Sequence, residues 1–271
     1  MNTFFLDRLN SEPHALAFAG QSTPWPVALS DQSANPALDE ALHTHAAAAQ
    51  ALLYPVSAEL LATTGRPVDL FGFEPNPARL GAAAAASASV PGIALTQLGA
   101  LLDAAALGYN PAQAKPVVVL GHSQGVLAVH MVQAICEAGS IDAAAAKIDE
   151  ILAIATLIGV AGTRQARQLG LAARHGEATP MLSVKDITRA QVDALIERVD
   201  GAHGPIAVAV TNSATHYVLS GYPEDLAAFG VEVAKEHKRQ AKLREEKVRG
   251  GRVFGPTLEY LDVTLPFHSP L

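Results

Sequence analysis

The sequence feature that most constrains this chain is a five-residue run, Pro116–Leu120 (PVVVL), that ends in Gly121-His122-Ser123-Gln124-Gly125 and continues into VLAVHMVQAI. A continuous apolar strand bounded by proline and glycine predicts a strand inside a parallel sheet covered on both faces. The G-x-S-x-G that follows predicts a tight strand-to-helix turn, in which the flanking glycines avoid side-chain clashes and the serine hydroxyl is lifted clear of the backbone. At a helix N-terminus, unsatisfied N–H groups and the positive end of the dipole favour an oxyanion. Ser123 is therefore the candidate nucleophile.

The flanking segments fit the same architecture. His14–Gly20 (HALAFAG) reads as a first buried strand and Gln21–Pro26 as a turn, while Pro36–Ala62 carries a helical pattern split in two by Pro55. Gly81–Ser89 (GAAAAASAS) is low-complexity and reads as an exposed helix end or loop. Ile93–Leu107 is a strongly periodic helix stopped by Gly108 and Asn110-Pro111. The most apolar stretch, Ile148–Gly162, falls short of the ~20 residues of a membrane span and reads as a buried helix. Helix, buried strand, glycine turn and helix in that order predict a doubly wound α/β sheet.

Between Pro180 and Gln240 the pattern changes to PMLSV, the capped helix TRAQVDALIERV, IAVAVT, HYVLSG and the helix PEDLAAFGVEVAKE. This β-α-β-β-α order predicts a small sheet with helices on one side, inserted into the larger unit. The expected boundaries are 1–177 with 254–271 for the large subdomain, 178–240 for the small one and 241–253 for a basic linker. Residues 235–252 hold eight basic side chains against three acidic ones and read as a solvated helix and loop.

Composition narrows the partners. The chain of 271 residues is 49% hydrophobic and 17% charged, too apolar for disorder. Its net charge of -7 disfavours nucleic acid and anionic membrane surfaces. The single cysteine, Cys136, makes no internal disulfide, and MNTFFLDRLNSEPH has neither the basic nor the apolar region of a signal peptide, so a cytoplasmic setting is expected. With no H-E-x-x-H, paired cysteines or G-x-G-x-x-G, no metal or redox cofactor is expected.

A serine nucleophile needs a base, and there are ten histidines. His122 and His130 read as packed or hydrogen-bonded core residues, His43 and His45 as surface residues, and His216 opens a strand. His268, in Leu265-Pro266-Phe267-His268-Ser269-Pro270 after the strand TLEYLDV, is by position the best of several.

Four motifs together carry a resemblance: Phe18-Ala19-Gly20-Gln21; Gly121-His122-Ser123-Gln124-Gly125; Asn212 followed by Val218-Leu219-Ser220-Gly221; and Pro266-Phe267-His268-Ser269-Pro270. In this order, from Phe18 to His268, they resemble the acyltransferases of fatty acid and polyketide synthases. Together with Ile151–Gly162, they look closest to the starter acetyltransferase domain of microbial type I fatty acid synthases. The resemblance implies a doubly wound α/β sheet of the acyltransferase type with an inserted ferredoxin-like α+β subdomain. It also implies acetyl transfer from acetyl-CoA, through an acyl-serine, to the phosphopantetheine thiol of an acyl carrier protein, alongside other domains of a synthase. The residues implied are Ser123 as nucleophile, His268 as base and the backbone N–H groups of Gln124 and Gln21 as oxyanion hole, with Asn212 at a motif position near the small subdomain. Malonyl-selective members carry an arginine where this chain reads Ala155-Thr156-Leu157-Ile158-Gly159, and Ile158 in its place implies an acetyl-accepting pocket. In this setting the basic segment has a second reading, as a docking strip for CoA phosphates or an acidic carrier.

Two departures from the family pattern stand out: Ser22 follows Gly20-Gln21 where a second glycine is usual, and three residues follow His268. The chain is accordingly expected to be the front piece of a longer polypeptide. The rival readings are an α/β-hydrolase-type esterase or thioesterase with the same serine turn and Asp262 orienting the histidine, and a non-catalytic module of a larger synthase.

Overall fold

The computed structural model describes residues 8–20, 24–56, 58, 69–73, 85–171, 178–247 and 255–271. They fall into two compact units, Met1–Arg164 and Gln165–Leu271.

In the first unit, β1 (Ala15–Phe18) pairs in parallel with β2 (Val118–Gly121), in a register that sets Ala15 against Val118 and Phe18 against Gly121. Around them lie α1 (Trp25–Ser33), α2 (Pro36–Leu52), α3 (Ala86–Ala106), the single turn α4 (Pro111–Ala114), α5 (Val126–Ala138) and α6 (Ile141–Gln168), whose last turn enters the second unit. Local residues start and stop these helices. Asn35 caps α2 by accepting from the Ala37 N–H, with Pro36 at the first helical position, and Gly139 ends α5 at φ 91°.

Helix α3 is the hub of this unit. It is apolar on nearly every side, and Ile93, Ala94, Leu95 and Leu98 have no exposed surface. By length and composition α3 passes for a membrane span, yet most of it is buried inside the unit. Trp25 packs on one of its two bare positions: a Cβ on Gly92 would lie 2.5 Å from the indole ring.

Several expectations change here. Strand β2 is not covered on both faces: Val118 and Leu120, which point to the same side, are 43% and 57% exposed, and β1 is its only partner strand among the described residues. Strand β1 likewise alternates between exposed and half-buried positions. Residues 86–89, expected at an exposed end, are buried in the first turn of α3. Trp25 and Pro26 open a helix rather than close a turn, since a proline in the first turn gives up an N–H that has no helical partner. Pro55 does interrupt the second helical run, in a 3-10 turn at Tyr54–Val56; most of the helix expected after it lies outside the described residues.

The second unit contains β3 (Met181–Lys185), α7 (Arg189–Ile196), β4 (Ala207–Ser213), β5 (His216–Ser220), α8 (Pro223–Lys247) and β6 (Thr257–Tyr260). The sheet order is β4-β5-β3-β6 with every neighbouring pair antiparallel, the ferredoxin-like arrangement. A capping box between Thr188 and Gln191 starts α7. The core joins Leu182, Val184 and Leu219 of the sheet to Val192, Leu195, Leu226 and Phe229 of the helices.

The boundaries differ from the expected ones. The units divide at 164/165, and 255–271 belong to the second unit because β6 pairs with β3 and lays Leu258 and Tyr260 on its core. Residues 241–247, expected in a linker, continue α8; 248–253 lie outside the described residues.

Candidate active site

After Gly121 the chain stays extended through His122 (φ -86°, ψ 122°) and reverses at Ser123, whose φ of 51° is left-handed. A 3-10 turn over Ser123–Gly125 then feeds directly into α5. Four described non-glycine residues have positive φ: Lys115, Ser123, Asp186 and His268. Two of the four are the residues expected as nucleophile and base. Such a backbone costs about 1–3 kcal/mol and persists only where its surroundings enforce it.

Three glycines supply the enforcement. A Cβ on Gly20 would lie 2.6 Å from the His122 carbonyl oxygen and 3.1 Å from the Ser123 Cβ. A Cβ on Gly121 would come within 2.5 Å of the Gly125 carbonyl and the Val126 nitrogen, and one on Gly125 would overlap the Phe18 carbonyl oxygen. Only bare backbone fits at these positions. The His122 N–H donates to the Phe18 carbonyl and the Gly125 N–H to the His122 carbonyl, both at 2.9 Å. The end of β1 and the turn after β2 are thus locked together.

Helix α3 holds both. The Gln124 side chain donates from Nε2 to the Val90 carbonyl, and Gln97 donates from Nε2 to the Ala19 carbonyl at 2.7 Å. Ser123 is half-buried at the head of the 13-residue helix α5, whose dipole and first N–H groups favour negative charge there. The one thiol, Cys136, is pushed up by partial burial and by Glu137, which keeps it protonated and a poor nucleophile.

The structure therefore brings Ser123 and Gln124 together at the turn. Gln21 lies outside the described residues. Ile158 stands on an exposed apolar stripe of α6 with Ile154 and Leu157, on the open side of a helix whose other face is buried as expected. His122 and His130 are exposed rather than packed in a core. His45, expected at the surface, is buried and its Nδ1 lies 2.6 Å from Asp149 Oδ1 of α6.

In the second unit, Asn212 sits near the end of β4 and His268 in the loop after β6. His268 is exposed, at φ 57°. Its neighbours anchor it: Pro266 is buried, and Phe267 packs against Met181, Val218 and Val263. Near Asn212, His216 Nε2 lies 3.1 Å from Ser183 Oγ and 3.4 Å from Asn212 Nδ2. The tight β4–β5 connection creates this cluster by pairing Ser213 with His216. Sequence reading passed over Gln97 and Ser183, since a lone amide in an apolar helix and a serine in a strand carry no motif.

Comparison with known proteins identifies the fold. Over 94–96% of its length the chain superimposes on the malonyl CoA-acyl carrier protein transacylase from Clostridium perfringens (18% identity, TM-score 0.51) and the acyl carrier protein S-malonyltransferase from Vibrio cholerae (17% identity, TM-score 0.51). The fold is the acyltransferase fold. In this acyltransferase fold, residues 180–260, the ferredoxin-like sheet from the start of β3 to the end of β6, match the family described as the fatty acid synthase central AT domain. The sequence is similar to that of the fatty acid synthase beta subunit hexB of Dothistroma septosporum (28% identical over 60% of this chain) and the fatty acid synthase subunit beta of Schizosaccharomyces pombe (27% over 68%). The chain spans 9–10% of the length of these relatives and 63–65% of the two solved structures.

Proposed function

We propose that this chain is the starter acetyltransferase part of a fatty acid synthase, taking acetyl from acetyl-CoA and passing it to the phosphopantetheine thiol of an acyl carrier protein in the cytoplasm. The observation that carries the reading is the left-handed Ser123 at the head of α5, held by three glycines that admit no side chain.

In this mechanism Ser123 Oγ attacks the thioester carbonyl while His268 takes its proton. The oxyanion is held by the backbone N–H groups of Gln124 and Gln21. The C–S bond breaks, the proton on His268 goes to the leaving CoA sulfur, and acetyl-serine remains. A carrier thiol then attacks the ester, His268 takes the thiol proton, and Ser123 leaves with it. Atoms balance across both halves, which exchange one thioester for another through an ester and need neither a metal nor a redox group. Water exclusion decides between transfer and hydrolysis. Asn212 is proposed to contact the substrate from the small subdomain.

The choice of acetyl rests on Ile158. Among apolar Ile154 and Leu157, it offers no counter-charge to a malonyl carboxylate, which pairs best with a bidentate arginine.

The test is the full chain with acetyl-CoA, with and without pantetheine as acceptor thiol. Acetyl should accumulate on the protein and leave at a rate set by the thiol, and Ser123→Ala should abolish both steps. Acetate release independent of the thiol would replace this reading with a hydrolase. Transfer unchanged in Ser123→Ala would leave the chain a non-catalytic module.

A further inference from the structure

Gln97 is an anomaly in α3. It stands between Leu95 and Leu98, both fully buried, and is itself only 9% exposed. Burying an amide is costly unless its groups are bonded, and here one half is not: Oε1 is buried with no hydrogen-bond partner among the described residues. Its one hydrogen bond runs from Nε2 to the Ala19 carbonyl at 2.7 Å, in the segment that follows β1. That segment touches the reactive turn, since Gly20 abuts the His122 carbonyl and Ser123, and Gly125 abuts the Phe18 and Ala19 carbonyls.

The second fastening comes from the other direction. Gln124, the residue after Ser123, donates its side-chain amide to the Val90 carbonyl. Val90 and Gln97 are seven residues apart on α3, two turns on one face and about 10 Å along the axis. One rigid helix therefore grips both the segment that abuts the reactive turn, at Ala19, and the turn itself, at Gln124.

We infer that Gln97 is a positioning residue, which holds the Ala19–Gly20 backbone against the turn that carries Ser123 and Gln124. The inference deepens the acyl-transfer reading and rests on it. It assigns the orphaned Oε1 a reason: no apolar side chain donates to the Ala19 carbonyl.

Gln32 provides the control. It is half-buried and also donates its amide to a backbone carbonyl, that of Thr96 at 2.9 Å, and its Oε1 likewise has no partner among the described residues, but its acceptor lies within α3. Gln97→Met and Gln32→Met each keep the side-chain shape and remove the donor. In the full chain, Gln97→Met should lower kcat for acetylation of Ser123 by roughly 10- to 100-fold, somewhat less than loss of a whole oxyanion donor, with KM for acetyl-CoA unchanged. Gln32→Met should leave kcat within about twofold. Equal losses in both variants, or a rise in KM matching the fall in kcat, would make the effect one of general packing and overturn the assignment. Wild-type kcat in Gln97→Met would overturn it outright. Hydrogen exchange separates this from failure of the acyl-transfer reading: if wild-type protein takes no acyl group, Gln97→Met must still raise exchange at Gly20 by at least about tenfold with α3 core amides unchanged. Unchanged exchange at Gly20 would end the inference independently of any chemistry.

Discussion

Gly20 lies so close to His122 that a single added methyl carbon would sit 2.6 Å from the His122 carbonyl oxygen. The contact couples the end of β1 to the residue before Ser123, and the obstacle is backbone, which has no rotamer to escape into. Gly20→Ala should therefore destabilise the protein by about 1–3 kcal/mol and remove acylation of Ser123 even where folded protein persists. Denaturant unfolding and acyl loading of the same sample check both halves. A stable, fully active Gly20→Ala would show that the turn has room to relax.

Ser123 is predicted to trade stability for its role. At φ 51° glycine is at ease and serine is strained, so Ser123→Gly should raise stability by about 0.5–1 kcal/mol while abolishing acylation, whereas Ser123→Ala should abolish acylation with no such gain. Thermal melts of the two variants make the comparison. Equal melting temperatures would mean that the turn stores no strain at Ser123.

The acid limb of stability should depend on Glu236. Buried on α8, it accepts hydrogen bonds from Arg239, Gln240 and Arg198, and these hold its carboxyl at about 2, below the ordinary 4.5, against the opposing effect of burial. A depressed folded-state value means the unfolded chain binds the proton more readily. The contribution is therefore complete above about pH 5 and is lost as pH falls toward 2, amounting to at most about 3 kcal/mol. Glu236→Gln should flatten the fall in stability between pH 5 and 2 relative to wild type. Parallel acid limbs would contradict it.

Much of this was legible in the sequence. Valines followed by G-x-S-x-G predict the strand, turn and helix around Ser123, and the alternation of strand and helix signals after Pro180 predicts the small sheet. What escaped depends on contacts between distant residues. The Gly81–Ser89 stretch reads as exposed because it is small and repetitive, yet residues 86–89 are buried, and α6 closes on them through its own bare position: a Cβ on Gly159 would overlap the Ala86 carbonyl. His45 reads as surface because its own helix is polar, yet it is buried, and its partner Asp149 lies 104 residues on. The covering of β2 was overpredicted, since an apolar run reports what a strand can bury and not which neighbours are present.

Substrate choice is predicted to turn on Ile158. Ile158→Arg should move the ratio of kcat/KM values toward malonyl-CoA by roughly tenfold or more, since a guanidinium supplies the missing partner for the carboxylate. Parallel kinetics with the two thioesters measure the ratio. No change would place acyl selection elsewhere.

The most direct measurement is mass spectrometry of the peptide carrying Ser123 after brief exposure of the full chain to an equal mixture of acetyl-CoA and malonyl-CoA. With no counter-charge at Ile158 for a malonyl carboxylate, the account predicts an acetyl adduct on Ser123, absent in Ser123→Ala, that exceeds malonyl by roughly tenfold or more. A malonyl adduct of comparable abundance would contradict the acetyl assignment, and an adduct that survives Ser123→Ala would contradict Ser123 as the nucleophile.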